Sequence, residues 1–263
     1  QTPYITSGTH QSQCIELFLP GNFYLLVGQF LPSSPTMKHI STQVIGFLTD
    51  LSKNNNREWF HEHKKEYQAA KKDFELFVSE VLQALSPYED LGDLKPKDVS
   101  FRIFRDVRFS ADKTPYKVSM SASFSKGGRK SPYHPFYLHI EPTGRSFVGG
   151  GSWAPSGEQL AKLRQEVDYN AQELKSIVSA PDFKQHYGAL QGEKLKTNPR
   201  SYPADHPEIE LLRHKQMVVM RELDRSLLSS DALIDELVVL FRTIQPLLRF
   251  LDYVLVDELK EEA

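Results

Sequence analysis

Four short runs in the middle of the chain, residues 99–105, 117–124, 135–141 and 146–150, alternate in character at every second position. That alternation puts successive side chains on opposite faces of a strand. Met120, Ala122 and Phe124 then share one face, and Ser119, Ser121 and Ser123 the other. Phe136, Leu138 and Ile140 stand opposite Tyr137, His139 and Glu141 in the same way. Gly127-Gly128 and Pro142-Thr143-Gly144 supply turn chemistry between the later runs. Too little chain separates these runs for parallel crossovers, so the spacing predicts an antiparallel meander.

Helical periodicity takes over on both sides. Residues 41–51 read as a first helix, with Phe47, Leu48 and Leu51 inward and Ser41 or Thr42 as cap. The run Asn54-Asn55-Asn56 breaks it and can cap a long second helix. In that helix Trp59, Tyr67, Ala70, Phe74, Phe77, Val78, Val81, Leu82 and Leu85 keep the i, i+3, i+4 rule until Pro87. Past the strands, Ser156 can cap a helix to Asn170, followed by shorter helical turns at 173–178, 181–187 and 208–212. Residues 216–222 suit one more strand, and a long helix starting at Asp231, kinked at Pro246, closes the chain. Strands gathered between helical ends define an α+β fold: an antiparallel sheet flanked by long N-terminal and C-terminal helices.

Residues 1–36 differ from the rest. Up to Met37 there is no Lys or Arg, and Glu16 is the sole acid. The apolar stretch from Leu17 to Phe30 is interrupted by Pro20, Gly21 and Asn22, so it is too broken to span a bilayer. These residues read as an extension ahead of a true start at Met37, and 37–263 as a single α+β domain. With Cys14 the only cysteine, no internal disulfide can form, which fits a reducing, cytoplasmic compartment without membrane partners.

The net charge of -2 does not favour nucleic acid as a partner of the whole chain. One stretch runs against that balance. Between Val99 and Lys130 there are eight basic residues and two acids, Asp106 and Asp112. If residues 101–105 form a strand, Phe101, Ile103 and Arg105 share its face, and the two apolar residues draw the guanidinium toward a partly desolvated position. A guanidinium there needs a carboxylate or an anionic ligand, since losing a buried partner costs about 3–5 kcal/mol. Asp106, Asp112 and Glu141 are the candidate protein partners.

Three readings of this stretch stay open. Arg102, Arg105, Arg108, Lys113 and Lys117 can bind a phosphate- or carboxylate-bearing small molecule or nucleotide, because arginine captures such groups bidentately. Alternatively the chain is an enzyme acting on a phosphorylated or nucleotide-like substrate. Asp106 or Asp112 would then be base or metal ligand, and Tyr116 the proton donor. In the third reading the arginines and aspartates form a purely structural ion-pair network. Other motifs add little. His61 and His63 diverge on a helix, and no Cys-x-x-Cys or His-Glu-x-x-His occurs, which leaves His139 with His206 as a remote metal pair. Gly149-Gly150-Gly151-Ser152-Trp153-Ala154 fits a dinucleotide fingerprint formally, but Trp153 and Pro155 crowd the turn where pyrophosphate would sit. No motif names a cofactor.

The pattern Arg102-x-x-Arg105-Asp106-x-Arg108-Phe109, followed by Asp112-Lys113-x-Pro115-Tyr116-Lys117, resembles the signature of a bacterial family catalogued as a domain of unknown function (number 2461). The Asn-Asn-Arg-Glu-Trp-Phe run at 55–60, the Gly-Gly-x-Trp-x-Pro run at 150–155 and Asp205-His206-Pro207 match as well. The resemblance covers Met37 to the C-terminus and brings no activity with it.

Overall fold

The computed structural model describes residues 37–261, with side chains as far as Val254. The reading of residues 1–36 as an extension lies outside the described residues. The described residues open with α1 (Thr42–Lys53), α2 (Arg57–Glu62), α3 (Lys64–Leu85) and α4 (Pro96–Val99). The strands β1 (Met120–Phe124), β2 (Phe136–Ile140) and β3 (Phe147–Ser152) follow. Next come α5 (Gly157–Tyr169), α6 (Ala171–Ser179), α7 (Pro181–Tyr187) and α8 (Ile209–Leu212). Last are β4 (Met217–Glu222), α9 (Arg225–Leu228) and α10 (Leu233–Glu261). The fold is α+β, as the alternation predicts. No helix among the described residues is long and apolar enough to cross a membrane.

The caps act beyond their own helices. Ser41 accepts from the Val44 N–H at 3.2 Å and donates to Asp73 of α3 at 2.8 Å, which fastens α1 to α3. Asn56 caps α2 by accepting from the Trp59 N–H at 2.9 Å. The single long helix expected over this region is divided at His63, whose backbone leaves helical values at φ -96°, ψ 20°. The His63 ring stacks on Trp59 with centroids 4.1 Å apart, and its Nδ1 bonds the Trp59 carbonyl at 2.8 Å. A side chain that satisfies its own turn in this way competes with helix continuation.

The four strands form an antiparallel meander in the order β1-β2-β3-β4. Ser121 lies opposite His139 and Ser123 opposite Tyr137; His139 in turn faces Phe147, and Gly149 faces Met220. The run at 99–105 is not a full strand. Its pairing is limited to bridges at Ser100–Ala122 and Phe104–Tyr116, so four steps on one side answer six on the other. That mismatch bulges the longer side and breaks the ladder.

On one face of the sheet Ala122, Phe124, Phe136, Leu138, Ile140 and Val148 are buried. Phe241 of α10 packs on Phe124 and Phe136 at 5.8 and 5.0 Å between centroids. The predicted stripe of α10 is fully buried from Leu233 to Leu251, and the helix continues past Pro246. The stripe of α3, from Tyr67 to Leu85, completes this core. Glycines make the approach possible. A Cβ at Gly150 would come within 2.6 Å of the Pro135 carbonyl and 2.8 Å of Ile244. One at Gly149 would sit 2.1 Å from the Val219 carbonyl, so β4 itself would have to move. The dinucleotide fingerprint is therefore spent inside an antiparallel strand.

Gly149→Ala should accordingly destabilise the protein by about 1–3 kcal/mol, the range for overpacking a tight interior. Thermal unfolding checks this; an unchanged melting temperature would mean that β3 and β4 can separate at no cost.

Candidate functional site

The segment after Phe104 is a loop held by its own charges. Arg105, whose side chain is 26% exposed, pairs through Nη1 with Asp112 and also bonds the Thr114 hydroxyl. Arg108 grips Asp106 with two bonds, Nε to Oδ1 at 2.9 Å and Nη2 to Oδ2 at 2.7 Å. Lys113 Nζ donates to the Val107 carbonyl at 3.0 Å. Asp112 Oδ1 accepts from the Thr114 N–H at 2.9 Å, which closes an Asx-type turn. Phe109, between these pairs, is left in solvent.

Two sequence motifs meet at the end of the loop. The Asn55 side chain donates to the Tyr116 carbonyl at 2.9 Å and accepts from the Tyr116 N–H at 3.2 Å. Phe60, from the same Asn-Asn-Arg-Glu-Trp-Phe run, stacks on the Tyr116 ring at 3.9 Å and 12°. Phe104 meets both rings edge-on. Tyr116 is 7% exposed and belongs to the core. Sequence spacing gives no sign of this clamp, because its two halves are 61 residues apart.

Arg102 and Lys117 are placed differently. Among the described residues neither side chain forms a hydrogen bond or an ion pair. Lys117 Nζ lies over the Phe101 ring, 5.5 Å from its centroid. Burial and the neighbouring Arg102 both push its ammonium below the usual lysine range. Phe101 in turn meets Tyr137 edge-on at 6.0 Å, at the mouth of a cleft of about 530 Å³.

This cleft lies on the face of the sheet turned away from α10. Tyr137, His139, Phe147, Val218 and Met220 line it, with Trp153 and Arg129 at its rim. The sequence signal for it is the Tyr137-x-His139-x-Glu141 alternation, which puts all three side chains on one face. Glu141 Oε2 lies 3.1 Å from His139 Nε2, and the Tyr137 hydroxyl lies 3.5 Å from His139 Nδ1. Phe147 stacks on the imidazole at 4.9 Å. A carboxylate only accepts, so Nε2 carries a proton, and in the neutral imidazole Nδ1 turns a lone pair toward the phenol. Burial raises the Tyr137 phenol above its ordinary pKa, opposed by a bond from Ser121. A carboxylate–imidazole–hydroxyl line of this kind can move a proton. His206, the other member of the remote metal pair, bonds Asp168 at 3.0 Å, so each of the two histidines engages a carboxylate of its own.

The loop makes a prediction about acid stability. The Thr114 N–H, the Arg105 guanidinium and the Thr114 hydroxyl hold the Asp112 carboxyl down at about 2. An unfolded aspartate titrates near about 3.9, so this contribution is whole above that value and is lost as pH falls toward the folded one. Asp112→Asn should lose less stability than the wild type between pH of about 4 and about 2. Parallel acid curves, measured by thermal unfolding, would contradict the pairing.

No curated protein and no solved structure matches the chain. A family model described as "Conserved hypothetical protein (DUF2461)" matches residues 43–250, spanning α1, the loop, the whole sheet and most of α10. The chain belongs to this DUF2461 family of conserved hypothetical proteins.

Proposed function

We propose that the chain binds an anionic small molecule, bearing phosphate or carboxylate, on the open face of its sheet, with Arg102 and Lys117 as the cationic contacts. One observation carries this reading: two adjacent cations, neither of them in a hydrogen bond or an ion pair among the described residues, beside a cleft within the roughly 300–1,000 Å³ range of small-molecule sites. Holding like charges together costs free energy that an anion would offset. Arg105, Arg108 and Lys113 enter the proposal as the frame that fixes the loop, their donors being engaged within it.

A catalytic role for the same face has its own support in the Glu141–His139–Tyr137 line. His139 would then serve as base in preference to Asp106 or Asp112, whose carboxylates are held by arginines.

The test is thermal unfolding with inorganic phosphate, sugar phosphates and dicarboxylates. A ligand at a hundred times its dissociation constant adds about 2.7 kcal/mol. That gain should vanish in Arg102→Ala and Lys117→Ala and survive in Lys117→Arg. Because the Lys117 pKa is lowered, wild-type affinity should fall at a lower alkaline pH than an ordinary lysine would give, and Lys117→Arg should not follow. A gain untouched by either alanine would move the site elsewhere. Mass analysis of the recovered ligand separates binding from turnover: conversion abolished by His139→Gln supports catalysis, and unchanged ligand opposes it.

A further inference from the structure

We propose that the cleft takes a nucleoside monophosphate: a planar aromatic ring lying against the glycine floor and Trp153, with its phosphate toward Lys117 and Arg102. This rests on the anion reading above and adds the chemistry of the rest of the ligand.

A Cβ at Gly151 of β3 would lie 2.2 Å from the Met217 carbonyl, and one at Gly149 is blocked by β4 in the same way. Gly151 also holds φ at 115°, a value that side chains rarely adopt. No residue larger than glycine fits these positions, so between Phe147 and Trp153 the strand gives the cleft no side chain; Val148 and Ser152, which carry one, face the other way. The floor there is bare backbone, flanked by Val218 and Met220 of β4. A floor free of side chains, bordered by apolar residues, leaves room for the face of a planar ring, which can lie against it without losing rotamer freedom.

Trp153 supplies a wall. It is 59% exposed although it borders this apolar floor, so folding alone leaves most of its surface in water. The other tryptophan, Trp59, is packed against the core. Phe101, Tyr137 and Phe147 continue the aromatic lining toward the opposite end of the cleft. There Lys117 stands over Phe101, with Arg102 beside it. Polar groups that can read a ring edge or sugar also border the space: the Ser123 and Tyr137 hydroxyls, and Arg129, which donates to the Lys97 carbonyl. Ring-stacking at one end and charge at the other is the division of labour that a nucleotide requires. A nucleic-acid strand fits less well. It needs a longer cationic track than three residues supply, and the chain as a whole carries a charge of -2.

The experiment is a titration of tryptophan fluorescence with AMP, GMP, CMP and UMP, set against ribose 5-phosphate and inorganic phosphate. At least one mononucleotide should bind about tenfold or more tighter than ribose 5-phosphate, as base stacking on an aromatic side chain allows, and should change the Trp153 emission. Trp153→Leu should remove the preference for the nucleotide while leaving ribose 5-phosphate binding in place, followed by thermal shift. Arg102→Ala should weaken both ligands. If ribose 5-phosphate binds as well as every mononucleotide, the ring proposal falls and the anion reading stands. If no phosphate compound binds, the mononucleotide falls together with the phosphate half of the anion reading, and only a carboxylate ligand could still satisfy that reading. Tighter binding of an oligothymidylate, with a steep salt dependence, would make the face a nucleic-acid surface and overturn the mononucleotide.

Discussion

Both faces of the sheet depend on a stretch of β3 that cannot carry side chains. At Gly149, Gly150 and Gly151 an added Cβ would fall 2.1, 2.6 and 2.2 Å from a backbone oxygen. On the inner face the missing side chain lets Ile244 and Leu248 of α10 settle against the strand. On the outer face it leaves the backbone floor of the cleft. Packing and site thus arise from one constraint, and a mutation that damages the second will usually damage the first.

Charge is handled by a second principle. The middle of the chain looks strongly basic, yet most of that charge is neutralised or bonded locally. Arg105 goes to Asp112, Arg108 to Asp106 and Lys126 to Asp90, while Lys113 and Arg129 donate to backbone carbonyls. What remains is the exposed Lys130 and the neighbouring pair Arg102 and Lys117, the pair lying where the loop joins the sheet. The loop network and the Asn55–Tyr116–Phe60 clamp both hold this junction in place. Preorganised cations are worth more to a ligand than mobile ones, because less side-chain entropy is lost on binding.

The fold was largely legible because alternation and helical stripes report burial directly. Met120, Ala122 and Phe124 are buried with Phe136, Leu138 and Ile140 on the side where the pattern puts them. Two departures have local causes that a hydrophobic pattern does not encode: the His63–Trp59 stack that divides the long helix, and the bulge opposite residues 100–104. The site was legible only in part. Its charge excess shows in composition, but which arginine meets which aspartate depends on the path of the loop. Tyr116 reads in sequence as a polar aromatic beside arginines, yet its ring position is decided by Phe60, far away in sequence. The cleft needs four strands in register before Tyr137, His139, Met220 and Trp153 become neighbours.

The chain has four methionines, and three of them report on the sheet. Met220 lines the cleft, whereas Met120 and Met217 are buried. A carbon-13 methyl spectrum of methionine-labelled protein, recorded with and without AMP or inorganic phosphate, therefore locates binding directly. If the open face is the site, the Met220 signal moves on addition of AMP while those of Met120 and Met217 keep their positions. A ligand that stabilises the protein but leaves Met220 in place would contradict the account and put the anion site on another surface.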